Sequence, residues 1–85
     1  QQSNAQAELQ AEQDFKQIYL REANRNNPND DAAIIIMAYG LRPAPRNLNS
    51  ELFALGIYLD IFKQIPISAG DWNKLRAIAY SGAIR

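Results

Sequence analysis

Apolar residues recur along the first third of the chain at helical spacing. Ala7, Ala11, Phe15, Ile18 and Tyr19 fall three or four positions apart and make one apolar stripe. Gln, Glu and Ala, all good helix formers, surround them. The pattern predicts a first helix from about Ser3 to Arg25. Its first two turns are poor in large apolar groups, so they are expected to fray or to pack on something outside this chain. Asn26-Asn27-Pro28-Asn29 ends that helix and opens a second. Asn27 is placed as an N-cap, Pro28 suits the first helical position, and Asp30 and Asp31 meet the positive helix end. Helix two is expected from about Pro28 to Tyr39. Ile34, Ile35, Ile36 and Met37 are apolar all round, as in a helix buried on most sides. Three consecutive isoleucines suit a strand as well, but the flanking caps decide for helix. Gly40 supplies a left-handed stop.

Arg42-Pro43-Ala44-Pro45-Arg46 reads as a stiff, extended connector. Asn47 or Asn49 caps helix three, with Leu48 and Phe53 placed for a hydrophobic staple. That helix should run to about Gln64, where Ile65-Pro66 stops it. Leu52, Phe53, Leu55, Ile57, Tyr58, Leu59, Ile61 and Phe62 make it the most apolar element. It is therefore expected at the centre, with Gly56 allowing close approach of another helix. Helix four is expected from about Ala69 to Tyr80, capped by Ser68 with Asp71 at capping-box spacing. Trp72, Leu75, Ile78 and Ala79 form its expected inner face, while Lys74 and Arg76 look outward.

The two halves resemble each other. Residues 34–42, IIIMAYGLR, return in altered form as residues 75–85, LRAIAYSGAIR. At an offset of 43, Glu8 meets Glu51, Leu9 meets Leu52, Ala11 meets Ala54, Phe15 meets Tyr58, and Tyr19 meets Phe62. At an offset of 41, Asn27 meets Ser68, Asp30 meets Asp71, Ile34 meets Leu75, and Tyr39 meets Tyr80. The offset returns to 43 for Leu41 on Ile84 and Arg42 on Arg85. The shifts fall where loops are expected, and loops absorb insertions. The expected fold is all-α: a small four-helix domain built from two tandem helical hairpins related by an internal repeat. Repeat one spans about 8–42 and repeat two about 51–85, in one domain over 1–85. Neither hairpin can bury its face alone, so the two should share a core around a rough twofold axis.

Composition narrows the function classes. The chain has 85 residues, 47% hydrophobic and 21% charged, ordinary for a globular domain. Net charge is zero, so no global field recruits nucleic acid or an anionic membrane. The charge is divided, however. Residues 1–31 carry six acids and three bases, and residues 32–85 carry the reverse. The chain has neither Cys nor His, which removes disulfides, thiolate chemistry, imidazole bases and the usual zinc sites. Neither apolar stretch is long enough to cross a bilayer. A chain beginning at Gln1 is expected to be a processed product or a cut fragment.

The candidate residues each carry two readings. Asp30, Asp31 and Asp71 can be taken as acid/base carboxylates, but helix N-terminal charge accounts for them. Tyr39 and Tyr80 recur at one position and offer a contact surface; equally, each can pack its ring at a helix end and bond a backbone group. Arg42, Arg46 and Arg85 can clamp an acidic partner or phosphate; equally, Arg42 and Arg85 follow helix C-termini, where cations are favoured. Trp72 can stack on a ligand or cover one end of the core. Lys74, Arg76 and Arg85 permit a helix-turn-helix reading, weakened by neutral charge.

The strings AYGLRP…RNLNSE and DWNKLRAIAYSGA resemble repeat segments of large envelope or secreted proteins from ultra-small bacteria of the candidate phyla radiation. The likeness covers residues 8–85. It implies an uncharacterised helical module at the cell surface or outside the cell; no activity or functional residue carries over. The expected function is a non-enzymatic structural module, extracellular or in the cell envelope, that acts through protein–protein contacts. No cofactor, metal or nucleic acid is expected. Its candidate contact residues are Tyr39, Arg42, Arg46, Trp72, Tyr80 and Arg85, and its expected partners are copies of itself or other envelope components. The acidic front and basic back suggest head-to-tail assembly into a filament or surface layer. The alternative is a small helix-turn-helix-like nucleic-acid-binding domain.

Overall fold

Every helix start in this chain is fixed by a side chain that accepts backbone N–H groups. The computed structural model describes residues 4–40 and 47–84. Among these it forms four α-helices and no strand: α1 (Ala5–Tyr19), α2 (Pro28–Tyr39), α3 (Leu48–Phe62) and α4 (Ala69–Tyr80). Asn4 caps α1 by accepting from Ala7, and Asn47 caps α3 by accepting from Ser50. Asn27 caps α2 by accepting from Asn29 and Asp30, with Pro28 at the first turn. Ser68 and Asp71 close a reciprocal capping box on α4.

The helix ends are equally specific. Gly40 terminates α2 in the left-handed region at φ 66°, as its sequence position predicts. The first helix stops earlier than expected, because Leu20 turns left-handed at φ 61° and its N–H closes on the Lys16 carbonyl. Lys63 does the same for α3 at φ 60°. Residues 21–25 are thus freed from the helix, and Arg21 and Arg25 can turn toward the start of α2.

Each hairpin packs its own two helices, and α2 packs on α4; the outer helices are α1 and α3. The start of α2 lies beside the end of α4, where Asn29 donates to the Gly82 carbonyl at 3.3 Å. The start of α4 lies beside the end of α2, where the Asn73 side chain crowds Gly40. α2 and α4 therefore run antiparallel, each helix start beside the other's end.

The core lies between α2 and α4 and inside the two hairpins. Phe15, Ile18, Ile34, Tyr58 and Leu75 are fully buried, with Ala11, Ala33, Ala54 and Ala77 where helices come close. Phe15 and Tyr19 stack at 4.3 Å between ring centres, and Tyr58 and Phe62 at 4.5 Å.

Several expectations are corrected. Helix three is not central. It is an outer helix that buries only Ala54 and Tyr58 among its fifteen residues. Apolar content misleads here because α2, with Ile34, Ile36 and Met37 buried, already fills the middle. Leu48 and Phe53 make no buried staple; they are 60% and 73% exposed. Gly56 has no neighbour within 4 Å of a Cβ built on it, so no helix of this chain uses the gap. Lys74 does not look outward: it lies over the Phe62 ring at 5.1 Å and 4.0 Å from Asp14.

Candidate functional site

The polar residues that first attract attention are occupied in holding the fold together. The Tyr39 hydroxyl accepts the Asn4 N–H at 2.8 Å and donates to the Glu8 carboxylate. The Tyr80 hydroxyl accepts the Asn47 N–H at 3.0 Å and donates to Glu51. Each tyrosine thus ties the end of its hairpin's second helix to the start of the first. This bond fastens the first turn of α1 to the end of α2. Glu8 has its pKa lowered, first by the Tyr39 hydroxyl and then by Arg25. Tyr39 is shifted upward overall: the Asn4 N–H acts against the shift, and the Glu8 carboxylate with partial burial outweighs it.

The acids of the first half are also answered inside the molecule. Arg21 grips Asp30 with two bonds of 2.6 and 2.8 Å, and Asp30 also accepts the Asn24 N–H at 2.9 Å. Asp30 is 1% exposed and its pKa is held down, chiefly by that guanidinium. The far side of Arg21 donates twice to the Ile84 carbonyl, which pins the chain after α4 onto hairpin one. Arg25 reaches Asp31 at 2.6 Å, Glu8 at 3.2 Å and Glu12 at 3.3 Å. Asp71 accepts from the N–H groups of Ile67 and Ser68, which lower its pKa. Asp30, Asp31 and Asp71 are therefore capping and pairing groups. Among the described residues no cluster of His, Cys, Asp or Glu is arranged to hold a metal ion. No helix among the described residues is long and apolar enough to cross a membrane.

Of the expected contact residues, Tyr39 and Tyr80 are half-buried in separate hairpins, and Trp72 stands 39% exposed in the first turn of α4. Arg42, Arg46 and Arg85 lie outside the described residues.

Exposed apolar side chains are spread over the molecule, Leu9, Leu20, Ile65, Ile67 and Ile84 among them, and four of them lie on α3. Leu48, Leu52 and Phe53 are 60–73% exposed, and Leu59 is 37% exposed. Leu52, Phe53, Gly56, Ile57 and Asp60 line an open groove along the helix. Phe53 and Ile57 also form one wall of a cleft of about 280 Å³ whose other walls are Ile18 and Tyr19 of α1, Ile78 of α4, and Ala83 and Ile84. Gly56 sits in mid-helix, where glycine costs about 0.5–1 kcal/mol relative to alanine. Nothing in the chain's own packing asks for it.

Hairpin one shows that the fold does not require this face. The shared tyrosine ties align Asn4 with Asn47 and Glu8 with Glu51, an offset of 43. At that offset Phe53 stands where α1 has Gln10, Gly56 where it has Gln13, Ile57 where it has Asp14, and Leu59 where it has Lys16. Sequence reading assigned these apolar residues to the core. The signal that marks them as surface was present in the offset, which pairs each with a polar residue.

Compared with protein-family models, curated proteins and solved structures, the chain matches none.

Proposed function

We propose that the chain is a non-enzymatic module that works through protein–protein contacts, with the outer face of α3 and its flanking cleft as the working surface. One observation carries the reading: large apolar side chains are left in solvent on an outer helix, and at Phe53, Ile57 and Leu59 the aligned residues of α1 are the polar Gln10, Asp14 and Lys16. Soluble monomers rarely expose contiguous apolar patches of more than a few hundred Å², and larger ones mark interaction sites. The polar groups support the reading from the other side, since the acids and tyrosines are engaged in caps and ties.

The partner is a protein, another copy or a component of the envelope. A place at the cell surface or outside the cell is part of this proposal and rests on the sequence strings alone. An open filament driven by the acidic front and basic back has less support. Glu8, Glu12, Asp30 and Asp31 are met by Arg21 and Arg25 within the chain. The helix-turn-helix alternative also loses ground, because Lys74 folds over Phe62 and does not stand on an open basic face.

The test is a photo-crosslinking amino acid placed at Phe53 and, separately, at its polar counterpart Gln10, in cells that make the protein. Protein adducts at position 53 and few at position 10 support the reading. Equal adducts at both, or none at position 53, overturn it.

A further inference from the structure

We infer that the cleft between α1, α3 and α4 binds a small, uncharged, mainly apolar molecule. Its volume of about 280 Å³ lies just under the roughly 300 Å³ at which the pockets of drug-sized ligands begin. It has room for about nine water-sized groups. Its floor is built from the core, since Ile18 and Tyr19 are 1% and 5% exposed. Ala83 and Ile84 close one side. That segment is pinned to hairpin one, by Asn29 at the Gly82 carbonyl and by Arg21 at the Ile84 carbonyl. The cleft is thus preformed, and binding has little left to order.

The opening is particular to one side of the fold. α1 and α3 each span fifteen residues, and α2 and α4 each span twelve. Aligned by those bounds, Phe62 corresponds to Tyr19, Asp14 to Ile57 and Lys74 to Ala33. Lys74 lies over the Phe62 ring at 5.1 Å and 4.0 Å from Asp14, so its long side chain bridges α3 and α1. Tyr19 and Ile57 both line the cleft, and the residue that corresponds to the bridging lysine is the buried Ala33, whose methyl group spans nothing. The chain has a way to close such a gap with its own side chain and does not use it here.

The lining sets the class of ligand. It consists of isoleucines with Phe53, Ala83 and Tyr19, and carries no charge. Arg21, bonded to the rim at Ile84, has its five N–H groups engaged by the Asp30 carboxylate and the Ile84 and Glu22 carbonyls. It has none to offer a carboxylate, so an anion in the cleft would lose water without gaining a partner. The one polar side-chain group of the lining is the Tyr19 hydroxyl, which is buried and has no hydrogen-bond partner. Such a group is costly to leave unpaired, and an alcohol or carbonyl on the ligand answers it. A helix, about 10 Å across, does not enter a recess of this size. The inference therefore goes beyond the protein-contact reading of the neighbouring α3 face and does not rest on it.

1-Octanol matches the recess in size and carries one hydroxyl, so it serves as the probe, followed by amide and methyl chemical shifts as it is added. Saturable shifts confined to the lining residues are expected, with a Kd of about 0.1–1 mM. Octanoate, the same chain with a charge, should bind at least about tenfold more weakly. Ala33→Lys with Ile57→Asp copies the trio that bridges the helices on the other side, and should abolish the saturable shifts. Ile57→Asp alone leaves Ala33 in the core and serves should the pair perturb the helical circular dichroism; it should weaken octanol at least about tenfold. Shifts that never saturate or that spread over Leu9, Leu20 and Ile67, octanoate bound equally well, or binding indifferent to both variants overturns the inference. Crosslinking at position 53 tests the protein-contact reading separately. Adducts there without an octanol site overturn this inference alone, and an octanol site without adducts overturns that reading alone.

Discussion

The Tyr39 hydroxyl donates to Glu8 while it accepts the Asn4 N–H, and so closes hairpin one at its open end. Tyr80 does the same for hairpin two through Glu51 and Asn47. The bond satisfies an N–H that the helix itself cannot, and gives a partly buried carboxylate a donor. Tyr39→Phe should lower the melting temperature by several degrees. Amide exchange should accelerate in the first turn of α1 and stay unchanged in the middle of α2. Glu8→Gln combined with Tyr39→Phe should cost less than the two changes added together, because they break one bond. An unaltered melting curve for Tyr39→Phe would remove the tie from the account of stability.

Asp30 is the most deeply buried charge among the described residues. It lies 1% exposed, held by a bidentate guanidinium and a backbone N–H. Asp30→Ala leaves the Asn24 N–H and the Arg21 fork without their acceptor, at a cost of about 2 kcal/mol. For a domain of this size that lowers the melting temperature by roughly 8–16 °C. Arg21→Lys keeps the charge but cannot grip Asp30 and reach the Ile84 carbonyl together. It should release the chain after α4, seen as faster exchange and proteolysis around residues 82–84, with a smaller loss of melting temperature. Equal losses for Asp30→Ala and an exposed control such as Asp60→Ala would refute this ranking.

Stability should form a plateau bounded by two different sets of groups. Glu8, Asp30 and Asp71 have folded pKa values below their ordinary ones. Such groups contribute stability that is present above the unfolded pKa, near 4, and is lost as pH falls through the folded value. Tyr19 and Tyr58 are shifted upward, first by burial, and their hydroxyls close no hydrogen bond of good geometry. Tyr39 is also shifted upward. These contribute stability that is complete below about pH 10 and is lost as pH rises through the folded values. Thermal melts should be level from about pH 5 to about pH 9 and fall on both sides. Asp30→Asn should flatten the acid limb and leave the alkaline limb in place.

The caps, the Gly40 stop and the helix count were legible in the chain because they are local. Asn27-Pro28, Ser68 with Asp71, and Gly40 each act within four residues, and the structure has them as read. The position of α3 was not legible, because a stripe of Leu, Phe and Ile has the same composition whether it faces a core or a partner. Only the polar residues at its counterpart positions in α1 separate the two cases. The Arg21–Asp30 pair was hidden for another reason. It depends on α1 ending at Leu20, and nothing in Tyr19-Leu20-Arg21 resembles a helix stop. The two tyrosines were found by their recurrence, but their carboxylate partners lie 31 and 29 residues away and follow only from the packed hairpin.

That unannounced stop yields the last prediction. Among the described residues, Leu20 and Lys63 are the non-glycine residues with positive φ, at 61° and 60°, and each terminates the first helix of its hairpin. A side chain in this region costs about 1–2 kcal/mol against glycine through contact of Cβ with the backbone. Leu20 is 71% exposed, and Lys63 meets Asp60 at 3.9 Å with both side chains in solvent, so neither side chain offsets the strain. Glycine relieves it but loosens the unfolded chain, which takes back part of the gain. Leu20→Gly and Lys63→Gly should each stabilise by about 0.5–1 kcal/mol, and the two should add because the sites lie on separate outer helices. Urea midpoints measure the shift, with the slope unchanged if only the folded turn is relieved. A loss of stability in both would mean that the helices end for some reason other than these turns.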